Sequence, residues 1–445
     1  MQLPAPGLPR CSVILPPAIE AKNLFKVFGR NPHSIVERLR AGQTRAEVAD
    51  SGTAAVIDAG FTVMPGEIFV IMGLSGSGKS TIIRMLNGLL PPTAGEVLVH
   101  GQSITAASPQ RLRGVRRESV SMVFQHFALL PHRTVIDNAA YALEIQGVPR
   151  TERRERALEI LAKVGLDDRA EAMPDELSGG MRQRVGLARA LTAGTDILLM
   201  DEAFSALDPL IRREMQEQLV ELQRELGRTI VFITHDLNEA MYLGDRIAVM
   251  RDGRIVQTGT PEEILTDPAN DYVAQFVQDV DRARVLTAGS VMAPPAAATP
   301  LSAGVRGALR VMRDLQVGSV AVLEGRRYLG AVSDRGVVRA VKAGSTDLRS
   351  LISNAQPVVS PNDPLTEVVE RAVESPIPIA VVDDQRRLLG TIPRVTLLAA
   401  LGNVDPQTTE IPIVETPSSV PQAELMSSLV AVGESVGKPA TGGGA

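Results

Sequence analysis

The sequence predicts an α/β fold organised around a parallel sheet. Two continuous apolar runs, at residues 197–200 (ILLM) and 229–233 (TIVFI), are typical of strands that are covered on both faces. A third apolar run, at residues 68–72, leads into a glycine-rich loop and then into a helical pattern that begins at Ile82. Strand, loop and helix in this order form the repeating unit of an α/β sheet.

The remaining segments up to about residue 280 predict further strands and helices around that sheet. Residues 19–28 alternate between apolar and polar side chains, as do residues 54–58 and 61–63, which predicts half-buried strands. The polar interval 29–53 lies between them and carries a helix-like pattern around residues 35–39. Hairpins are predicted at 95–104 and 247–257, a strand at 120–124, and a charged amphipathic helix at 151–164.

An internal repeat begins after about residue 283. Aligning Gly330 with Gly390 places residues 318–332 on residues 378–392, with Val322 on Val382. Each copy predicts a helix (307–315 and 365–373) followed by strand, turn and strand, and two copies indicate a paired module. The uncharged stretch 285–305 contains Pro294, Pro295 and Pro300, so it predicts a linker and not a membrane span.

Composition limits the possible functions. The 445 residues are enough for two or three domains, and the net charge of −5 argues against bulk attraction to nucleic acid. A single cysteine, Cys11, excludes an internal disulfide framework and a cysteine-based zinc site. Residues 1–18 are proline-rich, predict a flexible N-terminus and lack a signal-peptide pattern, and residues 404–445 predict a disordered tail. We therefore expect a cytoplasmic protein.

The loop GLSGSGKST has the composition of a nucleotide triphosphate site. Its glycines let backbone N–H groups turn towards phosphate oxygens, its lysine adds positive charge, and its hydroxyl residue can ligate Mg²⁺. The helix that follows points its positive end at the anion. The predicted phosphate-binding residues are Gly73, Leu74, Ser75, Gly76, Ser77, Gly78, Lys79, Ser80 and Thr81. The alternative, a flexible loop that happens to contain lysine, fits these flanks poorly.

Polar residues follow three predicted strands, where an ATP-hydrolysing site would need them. Asp201 and Glu202 follow residues 197–200, and we expect Asp201 to hold Mg²⁺ and Glu202 to polarise the attacking water. His235 follows the next buried strand and can sense the γ-phosphate and orient that water. Gln125 follows residues 120–124 and is a second candidate ligand for Mg²⁺, beside Ser80.

A second anion site is predicted at LSGGM, residues 177–181. Ser178, Gly179 and Gly180 stand at a helix start, where a hydroxyl and backbone N–H groups can bind phosphate. One nucleotide cannot obviously use both sites within one subunit. A head-to-tail homodimer, in which each subunit caps the nucleotide of the other, resolves this, and Asp208 in the sequence SALD would then lie near the dimer seam.

These motifs, in this order, resemble the nucleotide-binding subunit of an ABC transporter. For residues 19–283 the resemblance implies a RecA-like P-loop core with an antiparallel β-subdomain and a helical subdomain, which binds ATP and Mg²⁺. It implies that Phe28 stacks on adenine, that Glu202 is the catalytic base and that His235 is the switch histidine. Met181 stands where this family usually has glutamine, and we expect activity to be retained.

Finer resemblance narrows the expected transport system. The interval 29–53, the phrase VFQHFALLPHRTVIDNAAY and the sequence DEAFSALDPLIR are similar to the ATPases of glycine betaine/proline-betaine importers. The resemblance implies a peripheral protein on the cytoplasmic face of the plasma (inner) membrane, partnered with an integral membrane permease and, through it, an extracytoplasmic substrate-binding protein. An importer ATPase for another cargo, such as an amino acid, and a non-transport ABC ATPase remain as alternatives.

The repeats at 284–345 and 346–403 resemble a tandem pair of cystathionine-β-synthase (CBS) domains, which implies a regulatory role. Nucleoside-binding domains of this kind often carry a hydroxyl residue and an aspartate after the second strand. Here Gly336 replaces that aspartate in the first repeat, and Pro393 and Thr396 replace the pair in the second, which argues against nucleoside binding. The two Arg-Arg pairs (326–327 and 386–387) suggest contact with anionic lipid or a cyclic dinucleotide, although such pairs on a hairpin are more often simply solvated.

Overall fold

The structure is a computed structural model that describes residues 16–125, 128–205, 207–278, 280–352, 357–375 and 377–402. The predicted disordered tail 404–445 and all but the last three residues of the predicted flexible N-terminus lie outside these ranges. Within them, every helix is too short or too polar to cross a lipid bilayer.

The larger part of the chain alternates strands and helices as predicted. Its strands are β1 (Ile19–Gly29), β2 (Gly52–Val63), β3 (Ile68–Gly73), β4 (Ala94–Val99), β5 (Gln102–Ser103), β6 (Val120–Val123), β7 (Ile197–Asp201), β8 (Thr229–Thr234), β9 (Arg246–Arg251) and β10 (Arg254–Gly259). Its helices are α1 (Pro32–Arg40), α2 (Lys79–Leu86), α3 (Pro109–Glu118), α4 (Val135–Ala139), α5 (Tyr141–Ile145), α6 (Arg150–Lys163), α7 (Gly179–Thr192), α8 (Pro209–Leu226), α9 (Leu237–Leu243), α10 (Pro261–Thr266) and α11 (Asp271–Phe276).

The central sheet has the strand order β10-β9-β3-β8-β7-β6, and β9, β3, β8, β7 and β6 run parallel. Every residue of β3, β7 and β8 is buried, as the continuous apolar runs predict. A second sheet, β2-β1-β4-β5, is antiparallel. Helices α4, α6 and α7 pack on one another as a helical part. The predicted α/β core, β-subdomain and helical subdomain are confirmed.

The C-terminal region contains two copies of one small sheet. Its helices are α12 (Arg282–Val285), α13 (Ala288–Val291), α14 (Gly304–Asp314), α15 (Asp334–Lys342), α16 (Leu365–Glu374) and α17 (Arg394–Gly402). Its strands are β11 (Ala298–Pro300), β12 (Ser319–Glu324), β13 (Arg327–Ser333), β14 (Val358–Val359), β15 (Ile379–Val382) and β16 (Leu388–Ile392). In each sheet a parallel pair is followed by an antiparallel hairpin, so the predicted paired module is confirmed.

The predicted alignment of the first strands is wrong by one residue. Val322 pairs with Gly330, whereas in the second copy it is Val381, not Val382, that pairs with Gly390. Because side chains alternate between faces, this slip decides which residues share a surface. Val322 lies in the core of its own repeat, whereas Val382 packs in the cluster that joins the two sheets. The turn of the second hairpin is one residue longer, which similarity of residue type did not reveal.

The interpretation of residues 285–305 as a linker is also wrong. Part of the stretch forms β11, which completes the first small sheet. An earlier part lies on the second copy, because Ala293 exchanges two backbone hydrogen bonds with Thr391, at 3.0 and 2.9 Å. Proline and small residues predict broken helices correctly, but they are equally compatible with short strands that pack closely.

Candidate functional site

The phosphate loop connects the buried strand β3 to helix α2. Gly73 and Gly78 have φ values of 149° and 107°. A Cβ at Gly73 would lie 2.3 Å from the Met250 carbonyl oxygen, and one at Gly78 would lie 2.3 Å from the Ala55 carbonyl oxygen. Both positions therefore require glycine, because of backbone conformation and space together.

Lys79 is folded into this loop. Its Nζ donates to the carbonyl oxygens of Gly73 at 2.8 Å and Leu74 at 3.1 Å, and the residue is only 4% exposed. Burial lowers the pKa of the ammonium group, and the neighbouring carboxylates of Glu202 and Asp201 oppose that shift. Since the amine lies at the start of a helix, it is placed to meet an anion bound at the loop.

Polar side chains from the carboxyl ends of neighbouring strands converge on the carboxylate of Glu202. Its Oε1 lies 3.9 Å from Lys79 Nζ, and its Oε2 lies 3.2 Å from His235 Nδ1 and 3.4 Å from Gln125 Nε2. Strands β3, β8, β7 and β6 are adjacent and parallel, so their carboxyl ends come together at one edge of the sheet. The backbone of Glu202 has a φ of 45°, a left-handed conformation that is uncommon for a non-glycine residue.

Asp201 and Ser80 lie beside this cluster. The Ser80 hydroxyl donates to Asp201 Oδ1 at 2.9 Å, and Asp201 is 3% exposed. Burial raises the pKa of the Asp201 carboxyl, and the hydrogen bond from Ser80 works in the opposite direction. The Ser80 hydroxyl and the Asp201 carboxylate are therefore in contact, and the Gln125 side chain is hydrogen-bonded to the adjacent Glu202. These groups fit Mg²⁺, which takes oxygen ligands and keeps several waters. In the described part of the chain, no cluster of three or more His, Cys, Asp or Glu offers an all-protein metal cage.

Phe28 is the penultimate residue of strand β1 and is 46% exposed. Lys26 Nζ lies 5.2 Å from the centre of its ring. An exposed phenyl face at a strand end is suited to stacking on a planar base.

The second predicted anion site lies at the start of α7. The exposed Ser178 is its N-cap, and the hydroxyl accepts from the Met181 N–H at 3.3 Å. A Cβ at Gly180 would come within 2.8 Å of the Ile211 side chain on α8. Asp208 caps α8, and its Oδ1 accepts from the N–H groups of Leu210 at 3.2 Å and Ile211 at 3.1 Å. Gly179 begins α7 and, like Gly180, is partly exposed.

Comparison with known proteins identifies the family. Residues 56–205 match the model of the ABC transporter family, and residues 288–343 and 348–403 each match the CBS domain. The chain is 49% identical over 389 residues to the glycine betaine transport ATP-binding protein OpuAA of Bacillus subtilis, which covers 87% of this chain and 93% of that protein. The chain belongs to the ABC transporter ATP-binding family. It is therefore an ATP-binding ABC ATPase with tandem CBS domains.

Two further relatives extend the match. The glycine betaine/proline betaine transport system ATP-binding protein ProV of Salmonella typhimurium is 47% identical, over 86% of this chain and 97% of that protein. The glycine betaine/carnitine transport ATP-binding protein GbuA of Listeria monocytogenes is also 47% identical, over 86% of this chain and 97% of that protein. Similarity therefore extends through the ATPase region and the CBS region together.

Two arginines of the site were not recognised from the sequence. Arg212, one turn into α8, binds the carbonyl oxygens of Phe204 and Leu207 and the carboxylate of Asp236, the residue after His235. Arg45, from the interval 29–53, lies against the phosphate loop. The sequence DEAFSALDPLIR ends at Arg212 and was a signal for it, whereas no motif pointed to Arg45.

Proposed function

We propose that this ABC ATPase powers import of a quaternary-amine osmolyte through a separate membrane permease. The observation that carries the ATPase part is the convergence of Lys79, Gln125 and His235 on the carboxylate of Glu202. The substrate class is supported by the relatives that match both the ATPase and CBS regions, since each is named for glycine betaine transport.

In this proposal the phosphate loop binds the nucleotide through its backbone N–H groups and Lys79, and Phe28 stacks on the adenine. Glu202 accepts the proton of the attacking water, and His235, 3.2 Å away, holds that water and the γ-phosphate in line. Mg²⁺ held by Ser80, Asp201 and Gln125 would offset the negative charge of the β- and γ-phosphates.

We further propose a homodimer in which two ATP molecules lie between two copies of the chain. Ser178 and the N–H groups of Gly179 and Gly180 form a second anion-binding helix start, and Ser178 is exposed on its own subunit. Asp208 caps α8 and so fixes the segment that would face the partner. Closure of the dimer around ATP would move the permease, and hydrolysis would reset it. The ATPase pair would sit on the cytoplasmic face of the membrane, with an extracytoplasmic substrate-binding protein delivering cargo to the permease.

Uptake of labelled glycine betaine tests the proposal. Cells without their own betaine uptake receive this chain with its permease and substrate-binding protein, and a matched strain carries Lys79→Ala. We expect uptake with the wild-type chain and none with the variant. Uptake of a labelled amino acid but not of betaine would contradict the substrate class. Failure to recover a membrane permease with the purified chain would contradict a transport role.

A further inference from the structure

The interval 29–53 leaves the antiparallel sheet beside Phe28 and returns at the same place. Phe28 pairs with Thr53, and Gly29 pairs with Gly52, so the segment between them is an excursion from the top of β1 and β2. A Cβ at Gly52 would meet the Phe28 carbonyl oxygen at 2.6 Å, which shows how closely the two strands approach here. We call residues 30–51 the inserted segment.

The inserted segment is packed on the sheet and joined by internal hydrogen bonds. Val48 is fully buried in a small apolar cluster with residues of α1, and that cluster includes Phe25 of β1. Arg38 fixes the far side of the segment, because its guanidinium donates to Gln43 Oε1 at 2.6 Å and to the Glu47 carbonyl oxygen at 3.0 Å. The backbone at residues 43–47, which carries Arg45, is therefore held in place by this cluster and by Arg38.

Arg45 is presented in this way to the phosphate loop. Its Nη2 donates to the Gly76 carbonyl oxygen at 3.4 Å, and its Nη1 lies 3.4 Å from Asp252 Oδ1. Asp252 lies at the tip of the β9–β10 hairpin, and the next residue, Gly253, donates its N–H to the Ser77 carbonyl oxygen at 3.1 Å. The inserted segment and the hairpin thus donate hydrogen bonds to two successive carbonyl groups of the phosphate loop, those of Gly76 and Ser77.

The Gly76–Ser77 peptide group links the hydrogen bond from Arg45 to Lys79. The carbonyl that Arg45 binds and the N–H of Ser77 belong to the same peptide group and point in opposite directions. That N–H donates to the Leu74 carbonyl oxygen at 3.2 Å, and Lys79 Nζ donates to the same oxygen at 3.1 Å. Two hydrogen bonds through one rigid plane therefore connect Arg45 with the oxygen that orients the Lys79 ammonium.

We propose that Arg45 is a positioning residue of the nucleotide site, and that the inserted segment braces the phosphate loop. By holding the Gly76–Ser77 peptide, Arg45 fixes the loop in the form that receives a nucleoside di- or triphosphate. The side chain is 33% exposed, and a groove of about 600 Å³ lined in part by Thr44, Ala49 and Arg254 opens beside it. Its positive charge also favours the approach of a polyphosphate. The proposal rests on the proposed role of the loop in ATP binding.

Nucleotide titration of the full-length chain tests this role. We expect Arg45→Ala to weaken binding of fluorescently labelled ATP and ADP about fivefold, which is the upper range for a partly exposed charged contact. The KM for ATP should rise by the same factor while kcat stays within about twofold, because Arg45 touches neither the water nor Glu202. Arg45→Lys keeps the charge but loses the two-pronged donor, so it should recover only part of the affinity.

The matched control is Arg40→Ala. Arg40 belongs to the same segment and pairs with Glu37 at 3.0 Å, on the surface of α1. We expect wild-type affinity for this variant. Wild-type affinity in Arg45→Ala would overturn the proposal, and so would an equal loss of affinity for adenosine, which has no phosphate. If the nucleotide-free variant melts at a lower temperature and only a fraction of it binds ATP, with wild-type affinity in that fraction, the defect lies in folding and the proposal is also overturned. Betaine uptake is not needed as a readout, so a wrong transport substrate would leave the result unaffected.

Discussion

Arg212 connects the loops that follow Glu202 and His235, and its removal should slow hydrolysis without weakening ATP binding. Its Nε donates to the Phe204 carbonyl oxygen at 3.3 Å and its Nη2 to that of Leu207 at 3.2 Å, within the loop that follows Glu202. Its Nη1 donates to Asp236 Oδ2 at 3.2 Å, directly after His235. The Arg212 guanidinium therefore fixes the loop after Glu202, the proposed base, relative to the loop after His235, the proposed switch residue.

The size of the effect follows from these contacts. The pair with Asp236 has side chains that are 28% and 34% exposed, so solvent screening limits it to about 1 kcal/mol or less. The carbonyl hydrogen bonds add about 1 kcal/mol each, with incomplete additivity. A total of about 2 kcal/mol for Arg212→Ala should lower the melting temperature by about 4–8 °C. If about 1.4 kcal/mol of it also orders the transition state, kcat falls about tenfold.

Steady-state hydrolysis and melting of the purified full-length chain measure both quantities. The control is Arg213→Ala, which alters the adjacent, exposed position of the same helix and should behave as wild type. Arg212→Lys cannot reach the carbonyl groups and the carboxylate at once, so it should recover little activity. The reasoning is refuted if Arg212→Ala hydrolyses ATP within about twofold of wild type, or if KM rises and kcat does not fall.

Three further outcomes are expected. Glu202→Gln should bind ATP normally, lose about a thousandfold in kcat and accumulate as a dimer by size-exclusion chromatography, because the proton acceptor is removed; normal turnover would contradict its role. Lys79→Ala should weaken ATP binding at least tenfold in a nucleotide titration, since its ammonium is buried in the loop; unchanged affinity would contradict the site. Burial raises the pKa of Glu239, so the native state binds more protons than the unfolded state above the ordinary value of 4.5, and stability falls as pH rises. The advantage in melting temperature of Glu239→Gln over wild type should therefore grow from about pH 4 to about pH 7, and a constant difference would contradict that shift.

The motifs of the site could be recognised from the sequence because each is local. Strand, glycine loop and helix are continuous at residues 68–86, and parallel strands bring Gln125, Glu202 and His235 to one edge wherever their loops begin. The same logic correctly predicted the buried strands β7 and β8. The catalytic and binding roles of Gln125, Glu202 and His235 in this chain stay predictions until the variants are measured.

Contacts between segments with no shared motif could not be predicted. Arg45 meets Gly76 and Asp252 only because the inserted segment folds back on the sheet, a geometry that no local pattern encodes. The slip between Val322 and Val382 has the same origin, since one extra turn residue reverses the face of a strand while leaving its composition unchanged. Residue type predicts which segments are strands, but register depends on the partner strand.

The packing of the second CBS repeat indicates how regulation could reach the ATPase site. Leu365, at the start of α16, donates its backbone N–H to the Leu286 carbonyl oxygen at 2.9 Å, and Ala288 donates to that of Asp363 at 2.8 Å. Leu286 directly follows α12, which packs against both α16 and α9, and α9 begins two residues after His235. A ligand of the CBS pair would alter hydrolysis only if it favoured one arrangement of these helices over another. The path through α12 is short and built of packed elements, so we expect a shift of α16 to act first on the loop that carries His235.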